Sequence, residues 1–342
     1  MIEIRDLRKT FPAGSGLLDR GEVHALKGVN LELKDGAAIS LIGESGCGKT
    51  TLGRILAGLE PHTTGDLVYD GVNLGGLPVG ERQPHFRKVQ MVHQDPYTAL
   101  NPSHTILQSL SAPLTRQARK LGKDRKWMWR RVRELMSLVG LDPKGTLFKY
   151  PHALSGGQRQ RVVIARALTV DPAVLIADEA VSMIDVSMRL DILNLLRDLR
   201  ERTGVAILFI THDVAAARYI AADGEICVLY QGEIVEYGHT DEIIERPVHP
   251  YTQAMLSAMP VLRGLEEPGP DRYIPLEGFE ENASSEKRCL FSPRCPFATD
   301  QCKTVHPPLT SWNEGSEAAP RLHSCFYPTP RRVVATPLGD MG

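Results

Sequence analysis

The sequence predicts an α/β fold with a mostly parallel sheet, and three observations carry that prediction. Short, largely apolar runs of strand length recur: Ala37-Ala38-Ile39-Ser40-Leu41-Ile42, Val174-Leu175-Ile176-Ala177 and Val205-Ala206-Ile207-Leu208-Phe209-Ile210. Helical stretches separate them. The first run feeds a glycine-rich loop that passes directly into a helical pattern. Strands that are apolar throughout and joined through helices signal parallel pairing with both faces covered.

Taken in order, Ile2-Glu3-Ile4 and Leu31-Glu32-Leu33 alternate and predict short strands, the second ending at an Asp35-Gly36 turn. The run 37–42 is a buried strand, followed by a helix from Thr50 to Leu59 that closes near Gly58. Residues 95–150 read as helical and polar. Helices are predicted over Gln158 to Leu168 and Leu190 to Arg202. Ile226 to Tyr230 and Glu233 to Tyr237 form a hairpin turning at Gln231-Gly232. From Arg246 onward Pro, Gly and Glu rise and periodicity fades, which marks a separate C-terminal module. No internal repeat is found.

The chain of 342 residues gives a prior of about two domains. Its 40 Lys+Arg against 41 Asp+Glu leave a net charge of -1. That balance argues against coating nucleic acid or an acidic membrane by bulk charge. A hydrophobic content of 42% supports a sizeable core. No apolar run approaches the roughly 20 residues that span a bilayer, and MIEIRDLRKTF carries no apolar leader segment. The expectation is a cytosolic chain. Cys47 and Cys227 stand alone, while Cys289, Cys295, Cys302 and Cys325 crowd the last 54 residues.

Gly43-Glu44-Ser45-Gly46-Cys47-Gly48-Lys49-Thr50 fits G-x-x-x-x-G-K-[ST], with a strand before it and a helix after it. Glycines let backbone N–H groups turn onto phosphate oxygens, and the helix start adds its positive dipole end. Lys49 is expected on the β- and γ-phosphates, and Thr50 on Mg²⁺. A chance glycine turn would lack both flanks. Further on, the strand Val174 to Ala177 delivers Asp178, suited to the Mg²⁺ shell, and Glu179, suited to polarise an attacking water as general base. Two acids ending a strand are often merely solvated; pairing with a phosphate loop gives them a task.

Between these halves stands Leu154-Ser155-Gly156-Gly157-Gln158, and with it the chain resembles the ATP-binding subunit of an ABC transporter over residues 1 to about 245. The resemblance implies a P-loop NTPase cassette with a parallel-sheet core, an antiparallel β subdomain and a helical subdomain over about 95–168. It implies an ATP site in which Phe11 stacks on adenine and Gly43 to Thr51 cradle phosphates, Thr51 included. Gln94 joins Thr50 and Asp178 at Mg²⁺, and His212 holds the γ-phosphate and orients Glu179. Ser155, Gly156, Gly157, Gln158 and Asp185 serve, by the same resemblance, the ATP of an opposing subunit, so two composite sites form in a head-to-tail dimer.

Three departures are visible, one of them His93, which stands before Gln94 where the family commonly has an aromatic, a change expected to be neutral. Asp178-Glu179-Ala180-Val181-Ser182-Met183-Ile184-Asp185 stands where the family has Asp-Glu-Pro-Thr-Ser-Ala-Leu-Asp; its charged ends survive, and so hydrolysis is expected to survive. Cys47 reads as a tolerated small residue, expected to be alkylation-sensitive in an electropositive loop.

Gln94 to Pro102, Arg246 to Thr252 and Cys289 to Ala298 are similar to the oligopeptide/dipeptide importer branch. That implies ATP-driven import of di- or oligopeptides, or by the same machinery of oligosaccharides or nickel complexes. The partners implied are a second ATPase subunit, identical or paralogous, two transmembrane permeases and an extracytoplasmic solute-binding protein. The chain would lie peripherally on the cytoplasmic face of the cytoplasmic membrane, with no nucleic acid. The four C-terminal cysteines are spaced C-x5-C-x6-C-x22-C, unlike the C-x2-C pairs of structural zinc. Subunits of this branch carry a [4Fe–4S] cluster there; Zn²⁺ and uncoordinated thiols stay open beside it. The small C-terminal extension, 246–342, would be braced by that cluster.

The basic run Arg125 to Arg133 invites a membrane or nucleic-acid reading. However, Met128, Val132, Leu135, Met136 and Val139 share one helical face, which makes the charges a solvated face. A soluble ABC ATPase acting on nucleic acid or ribosomes is the rival from another class. Such chains carry two cassettes or a long coiled coil, and this one has neither.

Overall fold

The computed structural model describes residues 1–13, 21–260, 266–272, 287–312 and 321–337. Strand β1 (Ile2–Ala13) pairs antiparallel with β2 (Gly21–Leu33). These are longer than the short strands the alternation predicts. The register slips between Ile4 and Leu7, again at Arg8 and before Thr10, and Asp6 takes φ 44°. Each bulge resets the period of two, so the sequence pattern breaks where the strand continues.

Strand β3 (Ala38–Ile42), buried at every position, runs through the glycine loop into α1 (Lys49–Leu56). Strands β4 (Thr64–Tyr69) and β5 (Val72–Asn73) complete a four-stranded antiparallel sheet in the order β2-β1-β4-β5. Then α2 (Val79–Phe86) leads into β6 (Val89–Val92). The helical insertion follows as α3 (Pro96–Ala99), α4 (Ile106–Leu121), α5 (Arg125–Leu138), α6 (Pro143–Thr146) and α7 (Gly156–Ala167). On α5, Val132, Leu135 and Met136 are buried with Val139 just beyond, while Arg130 and Arg133 are exposed. The basic run is therefore the wet side of an amphipathic helix.

The chain returns through β7 (Val174–Asp178), α8 (Val186–Thr203), β8 (Ala206–Thr211), α9 (Val214–Ile220) and the hairpin β9 (Glu225–Tyr230) and β10 (Glu233–His239). Helices start earlier than periodicity alone suggests. Ser155 caps α7 with a capping box to Gln158, so α7 begins at Gly156 and not at Gln158, and α8 begins at Val186.

Helices α10 (Thr240–Glu245) and α11 (Pro250–Ser257) follow the hairpin. A small ribbon pairs β11 (Glu266–Glu267) with β14 (Thr336–Pro337), and α12 (Asp300–Thr304) precedes β12 (Thr310–Trp312) and β13 (Arg321–His323). The large sheet has the order β12-β13-β10-β9-β3-β8-β7-β6. Its strands β9, β3, β8, β7 and β6 are parallel, while β10, β13 and β12 run antiparallel.

Three cores follow. One lies between the helical insertion and the sheet (Leu110, Leu135, Val162, Leu175, Phe209); a second joins β1, β2 and α1 to it (Leu26, Leu41, Leu52, Leu208). The third lies under the C-terminal segment, where Tyr251, Leu256, Phe291 and Val333 pack on Val228, Tyr230 and Val235. The segment after residue 246 thus adds strands to the main sheet and shares a core with β9 and β10.

Candidate active site

Strands β3, β8, β7 and β6 lie side by side and parallel, so their carboxyl ends open on one edge of the sheet. Ligands of open parallel sheets bind at that edge. The phosphate loop follows β3, His212 follows β8, Asp178 ends β7 with Glu179 after it, and Gln94 follows β6. Residues spread over 170 positions of sequence converge because strand order places them in a row.

The loop requires its glycines. Gly43 has φ 153°, and a Cβ there would fall 2.1 Å from the Leu229 carbonyl oxygen. Gly48, with φ 109°, would place one 2.4 Å from the Ala25 carbonyl oxygen. Gly48 caps α1 without a side chain, which leaves the first N–H groups of the helix for an anion. Lys49 is buried; its Nζ donates to the carbonyls of Gly43 (2.7 Å) and Glu44 (2.8 Å). Cys47 departs from expectation. It is buried, and burial outweighs the pull of Lys49, which raises its thiol pKa above the usual value. A protonated, enclosed thiol is a poor target for alkylation.

Asp178 is buried and accepts a hydrogen bond from Thr50 Oγ1 at 3.1 Å. Burial raises its pKa, opposed by the Thr50 bond and assisted by the charge of Glu179. Two hard oxygens about 3 Å apart match neighbouring positions around Mg²⁺ at about 2.1 Å, so Thr50 and Asp178 fit that ion. Glu179 takes φ 47°, and its N–H donates to the Ile210 carbonyl at 2.8 Å. This left-handed backbone, sparsely populated for a glutamate, is held in place by β8. Its carboxylate accepts from Gln94 Nε2 (3.0 Å) and stands 3.1 Å from His212 Nδ1. Nδ1 is thus the ring nitrogen that faces the carboxylate. The arrangement is a carboxylate aimed by two neighbours, directly after the aspartate of a cation-ready pair, and is suited to polarising water.

Phe11 is half-buried on β1 opposite Val23, with Lys9 Nζ 4.4 Å from its ring centroid. Thr51 is half-buried on α1. Ser155 is exposed at the start of α7, followed by Gly156 and by Gly157, which lies against Met188. Asp185 is exposed at the start of α8, with no side-chain cap. Gln94 bonds Glu179 and not the Thr50–Asp178 pair. Two residues that sequence reasoning missed reach the loop. The Tyr251 hydroxyl accepts the Glu44 N–H at 2.8 Å, and Arg294 donates both guanidinium N–H groups to the Glu44 carboxylate at 2.9 Å each. They lie 207 and 250 residues away in sequence, and no local pattern announces such contacts.

Cys289, Cys295, Cys302 and Cys325 line one cavity of about 20 Å³ with Phe291 and Phe326. None of the four is in a disulfide. Burial pushes Cys325 up to about 12, with the other three thiols adding to it. Backbone amides at Phe291 and Ser292 work against the rise at Cys289, and the one at Tyr327 against the rise at Cys325. Such donors favour thiolates. Among the described residues no group of three or more His, Cys, Asp or Glu stands close enough to share a single metal ion.

The ABC transporter family model matches residues 26–182, and the model described as "Oligopeptide/dipeptide transporter, C-terminal region" matches 235–302. The oligopeptide transport ATP-binding protein AppF of Bacillus subtilis is 39% identical over 323 residues, 94% of each chain. The chain belongs to the ABC transporter family. The dipeptide transport ATP-binding protein DppF of Haemophilus influenzae is 40% identical over 324 residues, again 94% of each chain. These matches place the chain in the oligopeptide/dipeptide branch. Among solved structures, the dimeric post-hydrolysis state of the ATP-binding cassette MJ0796 bound to ADP and Pi superposes with a TM-score of 0.59. It is 30% identical and covers 70% of this chain and 99% of that one. The cassette described here is an ABC ATPase. Among the described residues no helix is long and apolar enough to cross a membrane.

Proposed function

We propose that this ATPase drives import of di- or oligopeptides through a transporter whose membrane-spanning parts are other chains. The observation that carries the peptide assignment is the C-terminal region match at 235–302, joined to peptide-transport relatives aligned over nearly the whole chain. In this reading residues 1–245 form the cassette, with the helical subdomain at about 95–168, and 246–342 an importer-type extension. Two ATPase subunits, identical or paralogous, meet two permeases fed by an extracytoplasmic solute-binding protein, with this chain peripheral on the cytoplasmic face of the membrane.

ATP binds with its phosphates on Gly43 to Thr51, Phe11 against adenine and Mg²⁺ held by Thr50 and Asp178. Mg²⁺ when bound neutralises phosphate charge. Glu179 takes the proton of the attacking water while Gln94 and His212 hold the carboxylate in line, and Lys49 stabilises charge on the transferred phosphoryl group. Ser155 to Gln158 and Asp185 complete the site of the opposing subunit. The exposure of Ser155 and Asp185 and the dimeric MJ0796 structures support that reading.

The four cysteines, gathered at one apolar cavity, are the ligands that a [4Fe–4S] cluster would use, with Zn²⁺ as the alternative. A cluster holds its thiolates on separate irons and favours apolar surroundings with amide donors to sulfur. Anaerobic purification should give about four irons per chain; stoichiometric zinc without iron would refute the cluster.

The transport reading is tested by uptake of a radiolabelled tripeptide in cells whose copy of this chain carries Glu179→Gln. Uptake is expected to fall to background and to return with the unaltered chain. Normal peptide uptake, with loss of oligosaccharide or nickel uptake instead, would overturn the peptide assignment.

A further inference from the structure

Glu44 is gripped at three points. Its carbonyl accepts from Lys49 Nζ, its N–H donates to Tyr251, and its carboxylate receives the Arg294 fork. Lys49 belongs to the loop itself, whereas the other two partners come from the C-terminal segment. Tyr251 is buried on α11, with its ring centroid 4.5 Å from Tyr230 and 5.5 Å from Phe291. Arg294 closes the short turn Ser292–Arg294 directly after Phe291 and directly before Cys295, a thiol of the four-cysteine cavity. Both anchors therefore stand on one buried aromatic block outside the strands that carry the chemistry.

We infer that Arg294 and Tyr251 are positioning residues for the phosphate loop, so that ATP affinity depends on a clamp supplied by the C-terminal segment. Tyr251 engages the Glu44 N–H and so restricts which loop amides remain for phosphate. Arg294 fixes the direction of the Glu44 side chain by two parallel bonds, a geometry that a lysine matches only in part. Because the Glu44 carbonyl also supports the Lys49 ammonium, displacing Glu44 displaces the lysine that meets the phosphates.

The magnitudes separate this role from simple stapling. The Glu44 side chain is 48% exposed and that of Arg294 17%. A bridge with so much solvent on one side adds little to global stability. The clamp should therefore appear in nucleotide affinity and hardly at all in unfolding.

The test uses the full chain, with fluorescent ATP-analogue binding, steady-state ATP hydrolysis and thermal unfolding. Arg294→Met should raise both Kd and KM about fivefold to tenfold with kcat within about twofold, and Tm should barely move. Arg294→Lys should recover part of the loss. In a Glu44→Gln background, Arg294→Met should add no further loss, because the partner of the fork is already altered. Tyr251→Phe should also weaken binding, by less. An unchanged Kd in Arg294→Met would overturn the proposal. So would full additivity with Glu44→Gln, or a binding loss matched by an equal Tm drop in the Lys and Met variants. Should Arg294→Met fail to fold, Glu44→Gln and Arg294→Lys probe the same contact from both sides.

Discussion

Two glutamates in one sheet show how surroundings decide the role of a residue. Glu179 lies just beyond the end of parallel β7, its side chain 23% exposed, with one hydrogen bond from Gln94 and His212 within reach. Glu236 lies within antiparallel β10 with a side chain that is fully enclosed. It receives Arg321 Nη2 at 2.7 Å, the Val248 N–H at 2.8 Å and the His249 N–H at 3.1 Å. The first carboxylate is aimed and open to water; the second is saturated. A strand's carboxyl end in a parallel sheet faces a crevice, while a mid-strand position faces packed neighbours. The parallel half of the sheet thus carries the chemistry, and the antiparallel half holds the C-terminal segment in place.

The largest effect should come from the saturated end. Arg321→Met leaves Glu236 buried without its cation, and unfolding free energy should drop by about 3–5 kcal/mol in denaturant titration. A loss below about 1 kcal/mol would mean the pair is not a structural anchor. At the open end, Lys49→Ala should leave stability nearly unchanged while weakening ATP binding by about 2–3 kcal/mol, read by calorimetry. If it unfolds the chain instead, the division between the two halves fails.

Ser155→Arg sharpens the comparison further. ATP affinity of the isolated chain should persist, while hydrolysis falls by about tenfold or more, since the proposed dimer puts Ser155 to work on the opposing subunit's ATP. Equal loss of binding and turnover would place Ser155 in its own chain's site. The smallest effect belongs to the basic face of α5: Arg130→Ser should change stability by less than about 0.5 kcal/mol and leave ATPase activity intact.

The open end was legible in the sequence because each of its parts is local. A glycine loop needs its strand and helix beside it, and Asp178-Glu179 ends an apolar run. The parallel sheet was legible for the same reason, since buried strands such as β3 and β7 are apolar at nearly every position. The saturated end was not. Strand β13 has three residues, too few for a period, and Arg321 meets Glu236 across 85 positions. The Arg294 fork spans 250 positions, and Tyr251 is only one aromatic in a proline-flanked helix. Long β1 was hidden by its own bulges. Cys47 misled because the loop's positive charge can be read from sequence, whereas the burial that outweighs it cannot.

The central claim is that Glu179 activates water in an ATP-closed pair of cassettes. Purified Glu179→Gln, given ATP and Mg²⁺, should lose turnover by at least about a hundredfold and run as a stable ATP-bound dimer in size-exclusion chromatography. A monomer that hydrolyses ATP at the unaltered rate would contradict the account.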